Sequence, residues 1–212
     1  MERAHGSYAA VRRVRVLSGH FAHLIPDRAS VLDVGCGDGA LSRHLVKLRP
    51  DLELRGMDVH VRPDTQIKVE AFDGKRIPCA DQSYDAVLFV DVLHHAERPE
   101  ALLAEGVRVA RRHVLIKDHR LDGLLAGPTL RFMDRVGNAR HAVALPYHYW
   151  PEVRWREVWI DLGLAVEHFS RDVGLYPPPL SLLFDRGLHF VARLAVRERS
   201  ATASPRSWVP GP

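Results

Sequence analysis

The chain has 212 residues, 46% of them hydrophobic and 26% charged, the length and apolar content of one globular domain with a sizeable core, which excludes a disordered, collagen-like or disulfide-stapled chain. Its 30 basic and 26 acidic residues leave a formal charge of +4, but they are interspersed without a long block of either sign, so nucleic-acid binding is not expected. The two cysteines, Cys36 and Cys79, make neither a disulfide framework nor a paired metal motif, and no stretch approaches the ~18 apolar residues of a membrane span, so a cytoplasmic protein without a membrane span is expected.

In chain order, Val14, Leu17, Phe21, Leu24 and Ile25 recur at helical spacing and predict a leading helix over Tyr8 to Ile25, ended by Pro26-Asp27. Val31 to Val34 reads as a short buried strand entering a glycine loop, and Leu41, Leu45 and Leu48 place a helix between that loop and Pro50. The rhythm repeats: strands over Leu52 to Met57 ending at Asp58, Ile67 to Phe72, Tyr84 to Val90 ending at Asp91, and Val114 to Lys117 ending at Asp118, with a helix over Pro99 to Ala110. Leu121 to Val136 is apolar at helical spacing but interrupted at Gly127-Pro128, and Gly137 to Trp150 is rich in histidines and aromatics. Trp155, Val158, Trp159 and Leu162 predict a helix closed by Gly163, followed by strands over Leu164 to Phe169 and His189 to Val196. Pro177-Pro178-Pro179 lies in an irregular stretch between them, and the tail from Ser200 to Pro212 is expected to be disordered.

Seven short apolar strands alternating with helices, several ending in a carboxylate, predict an α/β fold of doubly wound, mostly parallel sheet covered by helices on both faces. One domain is expected over residues 1–199, with residues 1–27 as the leading helix and 119–150 as a lid or substrate insertion, the place after a strand end where specificity loops fold over a sheet edge.

The run Asp33-Val34-Gly35-Cys36-Gly37-Asp38-Gly39 stands at a strand-to-helix turn, where glycines let a ligand approach the backbone and the helix start offers unpaired N–H groups. Asp58, at the end of the next strand, is placed to accept hydrogen bonds from a ribose diol. Gly35, Gly37 and Ala40 also satisfy the loose dinucleotide fingerprint, so an NAD(P)-dependent oxidoreductase is the rival class, and a non-catalytic nucleotide-binding module a second. Electrostatics weighs against the dinucleotide: a pyrophosphate on this turn would face Asp33 and Asp38, whereas a ligand carrying an ammonium and a sulfonium would be attracted. S-adenosylmethionine meets both requirements.

The segment Val31 to Ser42, VLDVGCGDGALS, resembles the first motif of the class I S-adenosylmethionine-dependent methyltransferases. Met57-Asp58-Val59 resembles that family's ribose-binding acid, Phe72-Asp73-Gly74 its adenine-contacting segment, and the stretch from Phe72 to His95 the approach to its fourth strand. The resemblance covers residues 28 to 118 and implies a Rossmann-like sheet of seven strands with the last strand pair antiparallel. It also implies a cofactor site at Asp33, Gly35, Cys36, Gly37, Gly39, Asp58, Val59, Asp73, Gly74 and Asp91. Asp91 has a second possible role as cap of the helix that follows.

Thirteen histidines are present, most of them expected to be solvated or structural. His94 and His95 follow the fourth strand and His119 the fifth, at the edge where the methyl group should lie, so these three are the candidate general bases, His119 first. Without paired cysteines or an i, i+4 histidine pair, no metal is expected. The function so read is methyl transfer from S-adenosylmethionine to an O or N of a small-molecule acceptor. The Asn/Asp-Pro-Pro-Tyr signature of enzymes acting on nucleic-acid bases is replaced here by Asp91-Val92-Leu93-His94. Acceptor identity and oligomeric state are not written in the sequence.

Overall fold

The computed structural model describes residues 2–138 and 147–197. A helix α1 (Glu2–Leu24) leads into β1 (Ser30–Val34), α2 (Ala40–Leu48), β2 (Glu53–Asp58), β3 (Val69–Ala71) and β4 (Tyr84–Val90). A single 3-10 turn (Leu93–His95) precedes α3 (Pro99–Val109), β5 (Ala110–His119), α4 (Ala126–Asn138), α5 (Glu152–Asp161), β6 (Leu164–Ser170), α6 (Ser181–Phe184) and β7 (His189–Val196). The strands form one seven-stranded sheet in the order β3-β2-β1-β4-β5-β7-β6. Only β7 runs antiparallel to its neighbours, β5 and β6, while the other pairings are parallel.

Strand periodicity sorts the core into two layers. Leu32, Val34, Val87, Phe89, Val114 and Ile116 point to one face and pack with α3 and with Trp155, Val158 and Trp159 of α5. Val31, Ala86, Leu88 and Leu115, one residue out of phase, meet Leu17 and Phe21 of α1 and Leu41 and Leu45 of α2 on the other. Each central strand is therefore apolar on both faces, as a parallel sheet between helical layers requires. The leading helix is part of this core, since Leu17 and Phe21 are fully buried.

Several boundaries differ from the sequence reading. The leading helix begins earlier, at Glu2. The third strand shortens to Val69–Ala71, because at the sheet edge only Gly56 to Asp58 is there to pair with it. Ala110 begins β5 instead of ending α3, and the strand continues through Asp118 to His119 because β7 pairs with it along that whole length. Gly127-Pro128 does not interrupt a helix; it lies in the first turn of α4, where a missing N–H costs nothing. Of the His- and aromatic-rich segment, residues 139–146 lie outside the described residues, as do the expected tail from Ser200 to Pro212 and the boundary at 199.

Candidate functional site

The strand order reverses between β1 and β4, where chain connections leave to opposite sides, the switch point at whose carboxyl edge ligands bind in open α/β sheets. Every candidate residue converges on that edge. The loop after β1 is pinned by its own backbone: Gly35 and Cys36 N–H both donate to the Met57 carbonyl, at 2.7 and 3.1 Å. Gly35, Gly37 and Gly39 all have φ between 61° and 76°, the left-handed region that glycine enters without a Cβ penalty. A Cβ on Gly35 would run into Val92, and one on Gly39 into Ile67, whereas Gly37 faces only the end of the Arg62 side chain, 3.5 Å away. Gly35 and Gly39 therefore let the loop pack tightly, and Gly37 leaves its surface open for a ligand.

Asp58 closes β2 beside this loop. Its Oδ2 accepts the Gly37 N–H at 2.8 Å and its Oδ1 the His60 N–H at 2.9 Å. A carboxylate has about four acceptor positions, so two remain for a diol. Asp33 is buried within β1 and accepts the Ser42 hydroxyl from α2 at 2.5 Å. Burial pushes its carboxyl up to about 6, with Ser42 pulling down and the Asp58 charge adding to the rise. Cys36 lies between them with its thiol raised by burial and then by Asp33 and Asp58. Two carboxylates thus sense one another across the glycine loop.

Val59 is exposed and reaches Gly74, where a Cβ would lie 2.9 Å from its Cγ1. Asp73 uses Oδ1 to accept the N–H groups of Lys75 and Arg76, both at 2.8 Å, so it shapes its own turn. Those bonds hold its carboxyl low.

The other half of the site is a buried charge network. Asp91, at φ 54°, caps no helix: the 3-10 turn that follows has no side-chain cap. Its Oδ1 instead accepts Lys117 Nζ of β5 at 2.5 Å, and its Oδ2 pairs with Arg13 of α1. Burial would raise its carboxyl, but Lys117 and Arg13 hold it well below the usual range. Lys117 is itself fully buried, which lowers its ammonium against the pull of Asp91.

His94 is buried with both ring nitrogens facing carboxylates, Nδ1 at 2.6 Å from Asp118 Oδ1 and Nε2 at 3.4 Å from Asp134 Oδ2. Burial opposes its charge, yet Asp118 and Asp134 lift it to about 10. The two carboxylates thus favour the protonated form of the His94 ring, against a role as general base. His95, beside it with ring centroids 3.9 Å apart, is pushed down to about 4 by burial and then by the His94 charge. His119 is buried at the end of β5, its Nδ1 3.4 Å from Asp118 Oδ1 and 3.6 Å from Asp91 Oδ1. Burial, then Lys117 and His94, lower its pKa, which favours the neutral ring.

Sequence reasoning missed much of this network. Lys117 was read only as strand, Asp118 only as a strand end, and His189 only as a strand start; the antiparallel register sets His189 opposite His119, with their rings 5.0 Å apart. Arg13, Asp134 and Tyr149, whose hydroxyl donates to Asp134, come from three further segments, and no local spacing signals their convergence. Tyr149 packs with Ala126, Leu130 and Leu188 in a small satellite core, while His148 N–H donates to the His94 carbonyl at 3.2 Å. His141 lies outside the described residues.

One ligand atom each from Asp91, His94, Asp118 and His119 lies within 4.8 Å of the others, and the same holds for His94, His95 and Asp134. The three carboxylates Asp91, Asp118 and Asp134 already face three cations, Arg13, Lys117 and His94, so charge balance demands no additional ion. His94, His95 and His119, the three candidate bases, belong to one cluster with these charges.

A family model described as a methyltransferase domain matches residues 32–116. Ajmaline N-methyltransferase of Rauvolfia serpentina is 24% identical over 51% of this chain and 47% of its own length, so the chain spans about half of this curated relative. Among solved structures, an S-adenosylmethionine-dependent methyltransferase from Mesorhizobium loti superposes with a TM-score of 0.60 at 17% identity, covering 82% of this chain and 94% of that one. The [4+2]-cyclase SpnF superposes with a TM-score of 0.59 at 12% identity, over 84% and 80%. Residues 32–116 thus match a methyltransferase domain, and the whole sheet shares its fold with these solved structures. No helix among the described residues is long and apolar enough to cross a membrane.

Proposed function

We propose that the chain transfers the methyl group of S-adenosylmethionine to an O or N of a small-molecule acceptor. A cyclase with the same fold shows why the site has to carry this reading, since fold alone does not name a reaction. The observation that carries it is Asp58 standing beside the glycine loop, its Oδ2 on Gly37 N–H and its charge felt by the buried Asp33. A diphosphate seated there would meet both carboxylates at close range, whereas a sulfonium and an ammonium would be favoured. The plant relative, named as an N-methyltransferase of ajmaline, supports a small-molecule acceptor.

The cofactor supplies an already activated methyl group, so the chain has to bind, orient and exclude water. Asp58 would hold the ribose, the open surface of Gly37 would take the aminoacyl end, and Val59 with Gly74 would border the adenine. Arg13 tethers α1 to Asp91 at the carboxyl edge of the sheet. His119, at the carboxyl end of β5 with its pKa lowered, is the base of this reading; Asp118 and Asp134 favour the protonated form of His94, and the His95 ring packs against it. Of the described residues between 119 and 150, His119 ends β5, Asp134 lies on α4 and Tyr149 reaches Asp134. In this reading they bound the acceptor side as a lid.

Calorimetric titration with S-adenosylhomocysteine and with NADH tests the cofactor half, and S-adenosylhomocysteine production over a panel of hydroxyl and amine acceptors tests the reaction. Binding of S-adenosylhomocysteine without NADH is the expected result. Binding of NADH alone would replace this function with the oxidoreductase reading.

A further inference from the structure

Fifteen large hydrophobic side chains are exposed among the described residues, and eight of them fall in two short segments, 121–136 and 180–183. The two segments are joined in space: the Arg186 guanidinium donates to the Leu183 and Leu124 carbonyls and to the Thr129 hydroxyl, and the rings of Phe132 and Phe184 stack with centroids 6.4 Å apart. Leu124 and Leu182 are 82% and 72% exposed, far more than a packed domain needs to leave in water, and their clustering marks an interaction surface.

The charge on this surface has one sign. On α4, Pro128, Phe132 and Val136 form one exposed row at i, i+4, i+8, and Arg131 and Arg135 form a second exposed row beside it. Arg186 is exposed on the adjoining segment. The carboxylates of the two segments are turned in or engaged: Asp134 is buried against His94 and Tyr149, Asp122 pairs with Arg120, and Asp185 accepts the Tyr176 N–H. Exposed leucines and a phenylalanine interleaved with guanidinium groups, and no exposed carboxylate between them, are the composition of an interfacial helix: apolar side chains enter the acyl boundary and arginines meet lipid phosphates.

We propose that α4 and α6 form a docking surface for an anionic lipid bilayer. Leu124, Leu125, Leu182 and Leu183 insert at the interface, and Arg131, Arg135 and Arg186 contact the headgroups. The surface is joined to the buried charge cluster, because α4 also carries Asp134, which faces His94. This inference does not depend on the methyl-transfer reading, and its test needs no turnover.

The full chain is sedimented with vesicles of phosphatidylcholine alone and of phosphatidylcholine mixed with phosphatidylglycerol. Wild type should bind the mixed vesicles at least about tenfold more strongly than the neutral ones. Leu124→Ser/Leu182→Ser should weaken binding about tenfold or more, Arg131→Glu/Arg135→Glu should abolish the preference for anionic vesicles, and Val153→Ser/Ile160→Ser, on the exposed side of α5, should leave binding unchanged. Thermal unfolding at wild-type temperature establishes that each variant is folded. No binding by wild type, or binding indifferent to the first two variants, overturns the proposal. So does a concentration-dependent dimer in light scattering that Leu124→Ser/Leu182→Ser dissolves while vesicles go unbound, an outcome that would assign the surface to a second copy.

Discussion

His94 and Asp118 form a buried ion pair at 2.6 Å, and a second carboxylate, Asp134, faces the other nitrogen of the same ring. Two carboxylates flanking one ring favour its imidazolium form. This arrangement joins the 3-10 turn after β4, the end of β5 and the helix α4 through one side chain.

The pair makes stability depend on pH in a defined direction. The folded pKa of about 10 lies above the ordinary 6.5, so its contribution is complete below pH 6.5 and is lost as pH rises toward 10. Replacing His94 by Gln leaves Asp118 buried without a cation and should cost ~3 kcal/mol at pH 6. Urea unfolding of both proteins at pH 6 and pH 10 measures this. A difference between them that stays constant over that range contradicts a charged His94.

His119 should behave in the opposite sense. Its pKa is lowered by burial, Lys117 and His94, so as a base it remains deprotonated below pH 6.5. The acid limb of kcat should therefore lie below pH 6.5, and His119→Ala should reduce kcat by ~10²-fold or more without altering affinity for S-adenosylhomocysteine. Comparable loss of cofactor affinity would move His119 from acceptor chemistry to cofactor binding.

Asp58→Ala removes the acceptor of the Gly37 N–H and two further acceptor positions. Affinity for S-adenosylhomocysteine should drop about tenfold or more, as expected when hydrogen bonds to a charged acceptor are lost. Isothermal titration of a folded variant reads this directly, and unchanged affinity would remove Asp58 from the ribose site.

Gly35→Ala and Gly37→Ala separate packing from access. Both carry positive φ, which costs an alanine about 1 kcal/mol or more, but only Gly35 has Val92 in the way of a Cβ. Gly35→Ala should lower the melting temperature more than Gly37→Ala, while Gly37→Ala should weaken the cofactor in a protein that still folds. Equal melting temperatures would mean that Val92 yields without cost.

The helical layers, the central strands and the glycine loop were legible because each is encoded locally: alternating apolar runs, periodic leucines, and carboxylates at strand ends. Asp33, Gly35 and Asp58 are recognisable from neighbours within a few positions, and their geometry follows from adjacent parallel strands. The histidines were legible as candidates but not as roles. His94 and His119 have the same residue type and similar placement, and burial disfavours the charge of both, yet their pKa values move in opposite directions, because Asp118 and Asp134 lift the first while Lys117 and the His94 charge push the second further down. Those partners come from β5 and α4, and His189 arrives only through the antiparallel return of β7. Local sequence thus determined the sheet, its edge and the cofactor loop. The protonation of the site, the pairing of Arg13 with Asp91, and the exposed apolar face of α4 and α6 were decided by tertiary structure, since electrostatic energy depends on distances between groups far apart in the chain.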